Sequence, residues 1–160
     1  MGIFEALFGE TNREIAKRWK EELLELLENK FGEDDNLEFV EEDGALFIRK
    51  GLTIIGVHFI FEEDENEDAQ GHMLINSSLV YLPNKNLLPF YRKLLDLNAE
   101  LVGSLVTDEN IVDLQRISAI GSLSEEGFLS DVSSILNEAE ETIEALVEEF
   151  QVSRYDPDQD

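Results

Sequence analysis

The stretch that most constrains this chain is "LTIIGVHFIF" at 52–61, a run without Asp, Glu, Lys or Arg in a protein that carries 37 acidic and 12 basic residues. Its β-branched and aromatic residues fall on both phases of a two-residue alternation. That pattern predicts a central strand covered on both faces. Such a strand needs neighbours, and the flanking sequence supplies them. "LEFVEEDGALFIRKG" at 37–51 reads as two short strands around Asp43-Gly44, a dipeptide that tolerates the positive φ of a tight type I′ turn. "EEDENEDAQG" is an acidic loop, and "HMLINSSLVYLP" at 72–83 is the next strand, closed by Pro83. Four antiparallel strands in chain order make a meander.

Helices bracket this sheet. "TNRE" at 11–14 is a capping box in which Thr11 accepts from the Glu14 amide and the Glu14 side chain reaches back. Ile15, Trp19, Leu23, Leu26 and Leu27 follow at helical spacing, so residues 11–31 are predicted helical. A second helix is predicted from about Lys85 to Leu101, with Leu87, Tyr91, Leu94, Asn98 and Leu101 on one side. "GSLVTDENIVDLQRISAI" reads as a hairpin turning at Asp108 to Asn110. The last helix, within 122–150, has Phe128, Val132, Ile135, Ala139, Ile143, Leu146 and Phe150 as its apolar stripe, and Ser122 with Glu125 as a candidate capping box. The expected fold is therefore α+β: an antiparallel sheet with helices packed on one face, in the order α-ββββ-α-ββ-α. Residues 1–151 form one domain in this reading, and "VSRYDPDQD" at 152–160 is a frayed acidic tail.

Charge narrows the partners. A formal charge of −25 repels phosphate backbones and anionic lipid surfaces, so neither nucleic acid nor membrane is an expected partner. The longest uncharged apolar run, 51–61, is far short of the roughly 20 residues that span a bilayer. "MGIFEALFGE" lacks the basic start and small-residue cleavage site of a signal peptide, and the chain has no cysteine. The expectation is a soluble, cytoplasmic protein.

A helix ending "LLDLNAEL", a short hairpin and a long acidic amphipathic helix together resemble the YbjN domain family. That family lies within the fold group of the type III secretion chaperones, which includes the Tir chaperone. The resemblance is best over 87–150 and rests on pattern rather than a catalytic signature. It implies a small, acidic, often dimeric α+β protein that binds other proteins instead of turning over a substrate. Members are linked to sensory or stress regulation, and secretion chaperones hold an effector segment along their surface. In this topology the end of the Asn98 helix abuts the hairpin that follows. Asn98 is then a structural residue, pairing strand or turn backbone groups that would otherwise be buried unpaired.

His58 and His72 flank the acidic loop; with a hairpin centred near Glu65 they face each other and, beside Glu62 or Glu63, could ligate zinc in a metal-dependent hydrolase. Two unconnected strand histidines explain them more simply, and no metal or other cofactor is expected. "DENED" at 64–68 imitates the start of a calcium loop but lacks its glycine and has Ile75 in place of the final glutamate. No phosphate-cradling glycine loop or nucleophile elbow is present. Glu138, Glu141, Glu144, Glu148 and Glu149 on the last helix allow an alternative, a nucleic-acid-mimicking inhibitor of a DNA-binding protein. The favoured reading is a non-enzymatic module that binds a partner protein or peptide, as a homodimer. Ile3, Phe4, Leu7 and Phe8, which share one face of a short predicted helix, are the candidate contact residues, with core cover as the competing role.

Overall fold

A computed structural model describes residues 10–62 and 70–159. The capping box starts α1 (Asn12–Phe31): Thr11 Oγ1 accepts from Glu14 N at 3.3 Å, and Thr11 N donates to Glu14 Oε2 at 2.9 Å. Strands β1 (Leu37–Glu42) and β2 (Ala45–Lys50) meet at Asp43 and Gly44, whose φ of 50° and 77° give the two left-handed positions of a type I′ turn. β3 (Thr53–Phe61) and β4 (Gly71–Tyr81) complete the meander. After α2 (Leu87–Asn98), β5 (Ser104–Asp108) turns through Glu109 and Asn110 into β6 (Ile111–Ala119). A 3₁₀ turn (Ile120–Ser122) leads to α3 (Glu125–Phe150). The fold is α+β in the expected order α-ββββ-α-ββ-α, with one antiparallel sheet ordered β1-β2-β3-β4-β6-β5.

Burial along β4 sorts the sheet into two faces. Gly71, Met73, Ile75, Ser77 and Leu79 are buried on one phase, and the intervening His72, Leu74, Asn76 and Ser78 are only half-buried. The buried phase continues through Ile48 on β2, Ile55 on β3 and Leu114 on β6. α3 lies against β3, β4 and β6 with the stripe its sequence predicts, burying Phe128, Val132, Ile135, Ala139, Ile143 and Leu146. Trp19 of α1 meets the Phe128 ring edge-on at 5.9 Å, joining two helices above the same face.

Four expectations need correcting. Among the described residues β3 is covered on one face only: Thr53, Ile55 and Val57 are buried, while Ile60 on the opposite phase is 49% exposed. Of the stripe expected on α2, Leu94 is buried and Asn98 half-buried, but Leu87 and Tyr91 are exposed and Phe90 is buried in their place, packing on Phe150 of α3 with ring centroids 5.1 Å apart. The cap of α3 is Ser124, which accepts from Gly127 N at 3.1 Å, whereas the Ser122 hydroxyl donates to Ala119 O inside the 3₁₀ turn. The tail is not frayed through Asp156. β3 begins at Thr53, so the end of β4 offers unpaired backbone groups, and residues 153–155 fill that edge. Tyr81 N donates to Ser153 O at 2.9 Å, Tyr155 N donates to Leu79 O at 2.9 Å, and Val152 is buried.

The reversal between α2 and β5 is pinned by two side chains. Asn98 Oδ1 accepts from Leu105 N at 2.6 Å while Asn98 Nδ2 donates to Leu105 O at 3.2 Å. Glu138 of α3 accepts from the backbone amides of Val102 and Gly103, the latter at 3.0 Å. Losing the Asn98 amide strands a part-buried donor and acceptor. Asn98→Leu is therefore expected to lower the unfolding free energy by about 1–3 kcal/mol. Urea denaturation measures this, and a loss below about 0.5 kcal/mol would show that the clasp contributes little.

Candidate functional site

The face opposite the helices is the site to consider. Paired residues cross all six strands there as Val40, Phe47, Gly56, Asn76, Gln115 and Ser104. The next row along runs His58, Leu74 and Ile117, followed by Ile60, His72 and Ala119. Among the described residues no helix covers these rows. Val40 is 49% and Ile117 57% exposed, while Phe47, Ile54 and Leu74 are half-buried. Apolar side chains left in water on an ordered sheet are a standing invitation to a partner.

The middle of the face is hollow because its residues are small. Gly56 sits on the floor, and a Cβ there would come within 2.5 Å of His58 Nε2 and 3.0 Å of Asn76 Oδ1. The glycine thus lets the His58 imidazole lie across its own strand, where it meets the Phe47 ring edge-on at 5.9 Å. The hollow forms a cleft of about 420 Å³, bounded by Phe47 and Arg49 on β2, Ser78 on β4 and Tyr155 on the C-terminal strap. The strap is held firmly: Arg154 Nη2 donates to Thr53 Oγ1 at 2.7 Å, and the Tyr155 ring lies 5.7 Å from that of Tyr81. Among the described residues the Arg49 guanidinium has no hydrogen bond or ion pair. Asp113, opposite Ser78 on β6, keeps an enclosed carboxylate oxygen without a hydrogen-bond partner.

A second apolar surface lies on α2. Leu88, Tyr91 and Leu95 recur at helical spacing on its outer side, and Leu95 is 69% exposed. On the same helix Lys93 pairs with Glu149 of α3 at 3.1 Å.

The expected site residues are dispersed. Ile3, Phe4, Leu7 and Phe8 lie outside the described residues, as do Glu63 and the "DENED" segment. His58 and His72 do share the open face, but His58 pairs with Leu74 and His72 with Ile60, so they are diagonal rather than opposite. Among the described residues no group of three or more His, Asp or Glu could hold a metal ion. The acidic row on α3 is broken, since Glu138 is spent on the Val102–Gly103 backbone and Glu149 on Lys93. Asn98 is committed to Leu105. Sequence reasoning missed the cleft, although a glycine inside a β-branched run is the one signal that could have found it.

No protein-family model matches this chain, and no curated protein matches it. Among the described residues no helix is long and apolar enough to cross a membrane.

The cleft generates a direct test. Gly56→Ala should push the His58 ring off the notch and break its contact with Phe47, at a cost of about 1 kcal/mol. The NMR shifts of the His58 ring protons report the move. Unchanged shifts would mean that the notch does not set the ring's position.

Proposed function

We propose that this chain is a non-enzymatic, cytoplasmic binding module that holds a partner protein or peptide on the uncovered face of its sheet and acts as a homodimer. The observation that carries this reading is the apolar face itself, where Val40 stands exposed at the cleft and Ile60 and Ile117 stand exposed elsewhere on the same face. Protein-binding surfaces of this kind pair a central apolar patch with a polar rim. Here the rim is supplied by Glu38, Glu42 and Asp113. The order α-ββββ-α-ββ-α also suits the resemblance to the YbjN domain family, whose members bind other proteins. The formal charge of −25 works against nucleic acid and anionic membrane as partners.

The dimer rests on α2. Leu88 and Leu95 stand on either side of Tyr91, so an antiparallel crossing there sets Leu88 of one copy on Leu95 of the other, as a two-fold axis requires. The helix carries Arg92 and Lys93 against Asp96, so two copies meet where their net repulsion is least. This arrangement leaves both open sheet faces available to a partner.

Two measurements separate the surfaces. Sedimentation equilibrium should give a dimer for the native chain and a monomer for Leu88→Glu with Leu95→Glu; a monomeric native chain removes the dimer from the proposal. Affinity capture from native lysate should retain a partner through moderate salt, and Ile60→Gln with Ile117→Gln should lose it. Equal retention by the native protein and that double variant would place binding elsewhere.

A further inference from the structure

We propose that the uncovered sheet face takes an amphipathic helix of a partner protein whose apolar stripe is flanked by lysine and arginine. The inference rests on reading that face as the partner-binding surface and names what the partner must present. Three observations lead to it.

The first is the shape of the apolar lane. It follows β3 from Ile54 to Ile60, with Phe47 beside it on β2, Leu74 on β4 and Ile117 beyond on β6. Ile54 and Ile60 are about 20 Å apart at the rise of a strand, which matches about 13 residues of α-helix at 1.5 Å each. In its middle the floor drops at Gly56 into the cleft of about 420 Å³, room for one large aromatic or leucine side chain of the occupant.

The second is what the face can bond. Along this lane β3 pairs with β2 over Thr53–Val57 and with β4 over Gly56–Phe61, and the other edge of β4 pairs with β6. An extended segment laid over them would bury its own N–H and C=O groups without partners. A helix arrives with those groups already paired and offers only side chains. A strand would instead add in the plane of the sheet, at the outer edges β1 or β5 or beside β3 beyond Val57, and not over the face.

The third is charge. Glu38 and Glu42 on β1 border the lane on one side and Asp113 on β6 borders the other, with Arg49 as the opposing charge. A second copy of this chain is a poor occupant, because face-to-face packing would set Glu38, Glu42 and Asp113 against the same acids in a protein of formal charge −25. Basic residues on both flanks of the incoming helix answer both rims.

The test uses the full chain and a dye-labelled synthetic helix of leucine and lysine, about 18 residues long. A scrambled peptide of the same composition and a neutral leucine–glutamine helix serve as comparisons. Fluorescence anisotropy should show the leucine–lysine helix binding most tightly. Ile60→Gln with Ile117→Gln, both on the surface, should weaken it about tenfold, and Ile117→Gln alone should weaken it in the same direction. Glu38→Gln with Glu42→Gln should weaken it severalfold, whereas Glu21→Gln with Glu25→Gln, the same charge change on α1, and Leu95→Gln on α2 should not. Equal binding of the scrambled peptide, or an equal effect of the α1 pair, would overturn the proposal in favour of bulk charge. A neutral helix that binds more tightly and still depends on Ile60 and Ile117 would overturn the basic partner while leaving the face as a binding surface. Binding of every peptide that ignores Ile60 and Ile117 would overturn both.

Discussion

One-sided burial of the sheet governs this molecule. Met73, Ile75, Ser77 and Leu79 on β4 are buried between strands and helices, and the alternate residues Leu74, Asn76 and Ser78 are not. A two-residue period gives every strand two faces, and the described helices, all on one side, cover only one of them. Everything else serves that choice. The stripe of α3 seats on β3, β4 and β6, α1 joins it through Trp19 and Phe128, and α2 through Phe90 and Phe150. The polar clasps work at the margins of this layer: Asn98 and Glu138 hold the turn that returns the chain to the sheet, and Arg154 ties the C-terminal strap to Thr53. What is left over is a face of mixed apolar and acidic character with a hollow in it.

Much of this was legible in the residues. Thr11 and Glu14 announce a helix start because the motif is local, and Asp43-Gly44 announces a turn because few residues tolerate its backbone. The α3 stripe was readable because glutamates leave only one apolar side. Asn98 stood out as an amide near the end of a leucine-rich helix, and its partners are the backbone of Leu105. The phase of α2 was harder: Leu87, Leu88, Leu94 and Leu95 put apolar groups around much of its circumference, so periodicity alone does not choose the buried side. Phe150, more than fifty positions along the chain, makes the choice.

The open face shows the limit of local reading. β-Branched and aromatic residues on both phases of β3 look the same whether the second face is roofed by protein or awaits a partner. The strap was invisible for a related reason. Ser153, Arg154 and Tyr155 read as a polar tail, and they become a short edge only because β3 starts late beside β4. The cleft combines both effects, since Gly56 is local but Phe47, Asn76 and Tyr155 come from three other segments. The histidine pair failed through register: a two-residue shift in the pairing kept both on one face but turned facing partners into diagonal ones.

The central claim is that the β6 side of this face is open to solvent in the isolated protein. The chain has no cysteine, so a single introduced thiol reports its surroundings without interference. The most direct measurement compares the rates at which Ile117→Cys and Met73→Cys react with a thiol reagent under native conditions and in denaturant. The account predicts that Ile117→Cys reacts at a rate close to that of the unfolded chain, while Met73→Cys on the adjacent strand is protected until the protein unfolds. Equal protection at both positions would contradict it, because the face would then be covered in the protein alone.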